Sequence, residues 1–189
     1  MDTRIYLEMI HQAEKLKDEI RHSTTSSGKA ESVAEHSWRI ALMAMWLKDE
    51  FRDADIDKVI KMCLIHDLGE CFTGDIPVFL KTKADEEKEE QSLDNWLREI
   101  DEACGQEMKE LYWEMKEMKT LEARIYKALD KLEAVIQHND APIETWEDHE
   151  YDLQKEYAHD VVSFSDFFKR LRADILAETN NKINIKPAK

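Results

Sequence analysis

Ile56-Asp57-Lys58-Val59-Ile60-Lys61-Met62-Cys63-Leu64-Ile65-His66-Asp67-Leu68-Gly69-Glu70-Cys71-Phe72-Thr73-Gly74-Asp75-Ile76-Pro77 is the stretch on which the fold turns. Ile56, Val59, Ile60, Cys63 and Leu64 recur at helical spacing, which predicts an amphipathic helix opened by Asp55 or Asp57 and stopped around Gly69. It carries His66-Asp67 near its end. Two of the chain's 4 glycines, Gly69 and Gly74, follow within six residues, so a short turn bends the backbone sharply beside two metal-competent side chains. The dipeptide alone is weak, because a second one, His159-Asp160, occurs without a glycine or a following acid and is read as coincidence.

Working outward, the rest of the chain is also helical in pattern. Ser32-Val33-Ala34-Glu35 fits a capping box and starts a helix through about Phe51, with His36 in its first turn. Before it, Ser23 to Gly28 reads as an exposed loop, and a first helix spans about Arg4 to Glu19 with Ile5, Met9, Leu16 and Ile20 near one face. Downstream come a polar helix from Ala84 to Ala103 ended by Gly105, another from Glu107 to Met118, and one from Leu121 to His138. That third helix holds Asp130 midway, above a stripe of Ile125, Leu129, Leu132 and Ile136. A last helix runs roughly from Glu147 to Glu178, and the end from Asn180 is expected to fray. The expectation is an all-α bundle, one domain over residues 1–189 with its core within about 4–178.

Composition agrees. Only 4 Gly and 3 Pro occur among 189 residues, and 37% are charged, which favours helices over a turn-rich sheet. Three cysteines, an odd number with no Cys-x-x-Cys, imply reduced thiols, with Cys63 in the core. No signal peptide is visible in Met1 to Ile10, and the apolar run from Ile40 to Leu47 is too short to span a bilayer, so a cytoplasmic protein is expected. A net charge of −15 argues against nucleic-acid polymers and anionic membranes as partners. A small anion remains compatible if a metal and a few basic residues neutralise it. Trp38, Trp46 and Trp96 are expected in the core, with Trp113 and Trp146 at a subunit contact. His11, His149 and His159 are read as surface residues, His138 as a helix end, and Asp85 to Glu90 as a solvated face.

His36, His66, Asp67 and Asp130 offer two imidazoles and two carboxylates, a ligand set for one divalent Mn, Co, Fe, Ni or Zn ion with positions left for water and substrate. Singly, each has a plain reading: His36 as a polar residue in a capped turn, Asp130 as a solvated acid. Asp130, however, lies on an apolar-flanked helix, where an unpaired carboxylate is costly. Neighbouring helix positions point about 100° apart, so His66 and Asp67 share one ion only if it lies against their helix. Other helices of a bundle then bring the remaining ligands to it.

Glu31-Ser32-Val33-Ala34-Glu35-His36-Ser37, His66-Asp67-x-x-Glu70, Thr73-Gly74-Asp75-Ile76-Pro77 and Leu129-Asp130-Lys131-Leu132-Glu133 together resemble the HD-domain phosphohydrolases, most of all the 5′-deoxynucleotidases. The resemblance covers about residues 15 to 140. It implies a helical HD-domain bundle, usually a homodimer, with one metal site between helices. It implies hydrolysis of the 5′-phosphate of deoxynucleoside monophosphates by a metal-bound water. His36, His66, Asp67 and Asp130 would hold the metal, with Asp67 and Asp130 also bordering the substrate. Glu70 would position or deprotonate the water, and Asp75 and Ile76-Pro77-Val78 would face the substrate. Arg21 would orient the phosphate, with an exposed arginine as the rival reading and Lys81 as a second phosphate candidate. His22 stands where the deoxynucleotidases have a tryptophan that crowds out a ribose 2′-hydroxyl, and Lys29 where relatives have arginine, so ribose as well as deoxyribose comes into range.

Two further readings accompany this one: an HD hydrolase of another small phosphate ester, and a catalytically silent nucleotide-binding module. Cys71 after Glu70 departs from the Glu-Asp of alarmone hydrolases, and the Gly-Tyr-Pro of cyclic-dinucleotide phosphodiesterases is missing. No Cys-based phosphatase loop and no Gly-rich phosphate cradle occurs either, which favours metal-assisted attack.

Overall fold

A computed structural model describes residues 1–77 and 79–185. Among them the order is α1 (Thr3–Glu14), a 3-10 turn (Lys15–Lys17), β1 (Ile20–Thr24), β2 (Ala30–Ser32), α2 (Val33–Trp46), α3 (Ile56–Ile65) and α4 (Glu70–Thr73). Then follow α5 (Lys83–Glu99), α6 (Glu102–Glu117), α7 (Leu121–Asp140), a 3-10 turn (Ile143–Thr145), α8 (Glu150–Glu156) and α9 (Asp166–Ile185). The fold is all-α but for one antiparallel hairpin.

Local chemistry sets the helix starts that matter. Glu35 Oε2 accepts the Ser32 amide at 3.0 Å and Ser32 Oγ accepts the Glu35 amide at 3.3 Å, the reciprocal box that fixes where His36 falls. Asp55 accepts the Lys58 amide at 3.1 Å and opens α3.

α7 is the central element. Its Ile125, Leu129, Leu132 and Val135 are at most 1% exposed and pack with Ile40 and Ala44 of α2, Val59, Met62 and Cys63 of α3, and Phe168 of α9. A second cluster of Leu16, Val33, Leu68, Leu93, Leu97 and Met108 joins the 3-10 turn after α1 to α5 and α6. Full burial of one such aliphatic side chain contributes about 1.5–3 kcal/mol, so the α2–α3–α7 triangle is a stiff frame for what it carries.

Several expectations are corrected. The first helix stops at Glu14 and Ile20 is half exposed on β1. The stretch from Ser23 to Gly28 is not a free loop: Thr25 donates to the Lys29 carbonyl at 2.7 Å, and Gly28, at φ 84°, closes the hairpin. Gly105 lies inside α6, not at a helix end. Asp101 caps that helix, and a Cβ at position 105 would sit 2.4 Å from the Leu97 carbonyl, so the glycine permits close α5–α6 approach. α2 ends at Trp46 rather than near Phe51.

The expected final helix is two, α8 and α9, separated where Ala158 adopts φ 68°. α9 continues through Asn180 to Ile185 because Thr179 is buried and Lys182 Nζ donates to the Asn139 carbonyl at 2.7 Å. Trp38 and Trp46 are 63% and 70% exposed, not core. Trp146, expected at a subunit contact, is buried and donates to the His138 carbonyl at 3.0 Å. Trp96 is partly buried and Cys63 fully so, as expected.

Candidate active site

Three elements converge on one point: the first turn of α2 brings His36, the turn just after α3 brings His66 and Asp67, and the middle of α7 brings Asp130. Ligand atoms of His36, His66 and Asp67 lie within 4.8 Å of one another. Asp130 Oδ1 joins them, 3.3 Å from His36 Nε2 and 3.6 Å from His66 Nε2.

Both imidazoles are aimed from behind. His66 Nδ1 lies 2.9 Å from the Cys63 carbonyl, an acceptor only, so Nδ1 carries the proton and Nε2 faces the cluster. That Nε2 is 3.0 Å from Asp67 Oδ2 yet buried with no hydrogen bond. His36 Nδ1 is 2.5 Å from the carboxylate of Glu133, itself fully buried. A fixed pair of Nε2 atoms, each backed by an oxygen on its other nitrogen, beside two carboxylates is the donor arrangement a divalent cation requires.

The electrostatics favour positive charge at this edge. Burial opposes protonation of His66, but Asp67 and Asp130 outweigh it and move the group up to about 10. Asp67 and Asp130 are held well below the usual carboxylate range: burial works against this, and His66 for Asp67, and Lys127 with both histidines for Asp130, overcome it. Burial likewise works against Arg21, yet Asp67, Asp130, Glu133 and Glu31 together keep its guanidinium charged. Arg21 is not a solvent arginine. Its Nε lies 3.4 Å from Glu31, its Nη1 3.4 Å from Asp67, and its side chain is 17% exposed.

Arg21, Asp67, Glu70, Asp75, Lys127 and Asp130 line a cavity of about 330 Å³. Glu70, 4% exposed on the first turn of α4, is pushed up to about 9 by burial first and then by Asp67, Asp75 and Glu89. Asp75 is also raised, burial and Asp67 prevailing over Arg21 and Lys81. Glu70 is thus at a short helix's start rather than at a C-terminus, and is free of the dipole penalty that position would bring.

Of the remaining expected residues, His22, Ile76, Pro77 and Lys81 border the cavity, while Val78 lies outside the described residues. Lys29 pairs with Glu35 on an exposed edge and does not line it. His159 and Asp160 are spent on the Lys155 carbonyl and on Lys131. The acidic run is only in part a solvated face. Glu86 lines the cavity, and Glu89 holds Lys81 at 2.7 Å while packing where a Gly69 side chain would stand.

Sequence reasoning missed Glu133 and Lys127. Both lie three residues from Asp130, one turn along the same face of α7, and Lys127 Nζ holds Asp130 Oδ2 at 2.7 Å. The available signal was a charged i, i+3, i+6 series on a helix whose other face is core.

A sequence profile of the HD domain matches residues 13–172. A 5′-deoxynucleotidase HDDC2 from Dictyostelium discoideum is 29% identical over 177 residues, covering 88% of each chain. The one from Bos taurus is 32% identical over 111 residues, covering 58% of this chain and 53% of its own length. The chain thus spans most of the first relative and about half of the second. Among solved structures, one titled a predicted metal-dependent phosphohydrolase, from Magnetospirillum magnetotacticum MS-1, is similar with TM-score 0.77 and 26% identity, covering 96% of this chain and 93% of that one. A conserved hypothetical protein from Pyrococcus furiosus gives TM-score 0.60 at 28% identity, covering 93% of this chain and 99% of that one. With the profile matched over most of its length and the histidine–aspartate centre in place, the chain belongs to the HD domain family.

Proposed function

We propose that this chain is a metal-dependent phosphomonoesterase that removes the 5′-phosphate from (deoxy)nucleoside monophosphates. The observation that carries the reading is the meeting of His36, His66, Asp67 and Asp130, of which Asp67 and Asp130 line a cavity that also holds a buried carboxyl, Glu70, and a buried guanidinium, Arg21. The 5′-deoxynucleotidase names of the relatives support the substrate class.

In this reading His36, His66, Asp67 and Asp130 would hold one divalent ion, of the Mn, Co, Fe, Ni or Zn group. When bound, the ion supplies an acidified water and neutralises phosphate charge. Arg21, kept charged by Asp67 and Glu31, binds the phosphate oxygens as a fork and orients the phosphorus toward the water. Glu70 takes the water's proton as the new P–O bond forms and the P–O5′ bond breaks. The leaving 5′ oxygen takes a proton from solvent and Glu70 returns its own to solvent, giving nucleoside and inorganic phosphate. Burial and Asp67 push the Glu70 carboxyl up to about 9, and a divalent charge held by the cluster would lower it toward the range where a general base works. Asp75 borders the leaving group with Ile76 and Pro77. Lys81, tied to Glu89, and Lys127, tied to Asp130, add positive charge at the rim.

Residues 1–189 are taken as one domain, and a homodimer in the cytoplasm as its working form. No described helix is long and apolar enough to cross a membrane, and Cys63, Cys71 and Cys104 are free thiols. The test is phosphate release by metal-stripped protein given Mn²⁺, Co²⁺ or Zn²⁺, over a panel of ribo- and deoxyribonucleoside 5′-monophosphates. Metal-dependent release supports the reading. Nucleotide binding without release would favour the silent module, and release only from other phosphate esters would move the substrate class.

A further inference from the structure

The cavity also holds a second polar cluster that the hydrolytic chemistry does not use. Glu150, at the start of α8, is 5% exposed, yet it lines the cavity. Its Oε1 lies 3.2 Å from His22 Nε2, and its Oε2 accepts the Glu147 amide at 2.6 Å. His138, near the end of α7, faces the same carboxylate at 3.6 Å, and its Nε2 is buried with no hydrogen-bond partner. The His138 ring is fixed by stacking on Trp146, 4.4 Å between centroids. His22 meets the ring of Phe79 at 5.3 Å.

The plainer reading is a clasp tying α8 to β1 and α7. A clasp saturates its own polar atoms, whereas His138 Nε2 stays open. A clasp is also shut away from ligand space, whereas His22, His138 and Glu150 all border the cavity. A second metal site fits poorly. Among the described residues the ligand atoms drawn within 4.8 Å of one another belong to His36, His66 and Asp67, and this cluster is looser.

Arg21 and His22 are consecutive on β1 and both line the cavity, so the cluster and the guanidinium assigned to the phosphate border the same ligand space. In a nucleoside 5′-monophosphate the group next to the phosphate is the sugar, whose vicinal hydroxyls can share one carboxylate. A carboxylate bonded to a ribose hydroxyl is a recurrent device of nucleotide sites. We infer that Glu150, oriented by His22 and His138, recognises the sugar by accepting hydrogen bonds from the vicinal hydroxyls of a ribose, which makes ribonucleoside 5′-monophosphates the preferred substrates. The inference rests on the phosphatase reading above. A substrate lacking a hydroxyl then loses a hydrogen bond to a buried carboxylate, a loss that discriminates between substrates.

The test compares kcat/KM of the Mn²⁺-loaded wild type for ribo-, 2′-deoxy- and 3′-deoxynucleoside 5′-monophosphates of one base. Removing either hydroxyl should lower it by about tenfold or more. Glu150→Gln, which keeps an acceptor for the Glu147 amide, should reduce the ribose-to-deoxyribose ratio by a similar factor. Equal turnover of all three, a preference for the 2′-deoxy substrate, or a ratio unmoved by a folded Glu150→Gln each overturns the sugar assignment and leaves the phosphatase reading standing. The substrate series needs no variant, so it decides even if Glu150→Gln fails to fold. If the wild type turns over none of them, the phosphatase reading has failed, and calorimetric binding of the same three nucleotides still judges the sugar contact. A second equivalent of Mn²⁺ that disappears in His22→Ala would replace the sugar assignment with a metal.

Discussion

At the residue scale, Glu70 ties function to a cost in stability. Its carboxyl moves from an ordinary 4.5 up to about 9, so the folded metal-free protein binds more protons than the unfolded chain between those values. The sign follows: the contribution is fully present below about pH 4.5 and is lost as pH rises through about 9. Metal-stripped Glu70→Gln should therefore gain on metal-stripped wild type in urea midpoint as pH is raised from 5 to 9, while phosphate release by the metal-loaded variant falls by about 10²–10⁴-fold. A midpoint difference that shrinks with pH would contradict the burial argument. Glu133 makes a different case. It touches no substrate position but holds His36 Nδ1, so Glu133→Gln should weaken metal binding by about 10–100-fold with a smaller effect on activity at saturating metal. Metal titration and single-turnover assays separate the two.

At the element scale, the site depends on where α2, α3 and α7 begin and how closely α5 and α6 brace α4. The capping box at Ser32 fixes the first turn that holds His36. Ser32→Ala should cost about 0.5–2 kcal/mol in unfolding free energy, read by denaturant titration, and should loosen metal affinity along with it. Gly105 is a packing requirement. Gly105→Ala places a methyl 2.4 Å from the Leu97 carbonyl, so α5 and α6 must part at a cost of about 1–3 kcal/mol. Thermal unfolding of that variant at the wild-type Tm would show the approach to be relaxed more cheaply than the backbone contact implies.

At the scale of the whole molecule, the proposed metal centre joins elements that are far apart along the chain. His36 and Asp130 are 94 residues apart, and the α2–α3–α7 core must already be formed for them to meet. Divalent cation binding to the folded state alone should therefore raise Tm, the stabilisation growing as the logarithm of ligand excess and reaching about 2.7 kcal/mol at 100 times Kd. Chelation should reverse it. His66→Ala should abolish the shift while leaving a folded, helical protein, since its Nε2 serves the cluster and not the core. A Tm indifferent to Mn²⁺ or Zn²⁺ would remove the metal site from the account.

The sequence by itself determined the helical class, the cap at Ser32, a helix start at Asp55 or Asp57, and the ligand candidates His36, His66, Asp67 and Asp130, because periodicity, capping and ligand chemistry are local or belong to residue type. It also marked Arg21 and Glu70. Only the tertiary structure decided that Arg21 is buried, that Glu70 opens a helix, that Glu133 and Lys127 serve the centre, and that His22 meets Glu150 across 128 residues. It decided too that Trp38 and Trp46 face outward while Trp146 does not, and that Gly105 sits within a helix. The physical reason is the same throughout. A side chain's burial, partner and protonation are set by whatever packs against it from other elements, and spacing along one helix does not encode that.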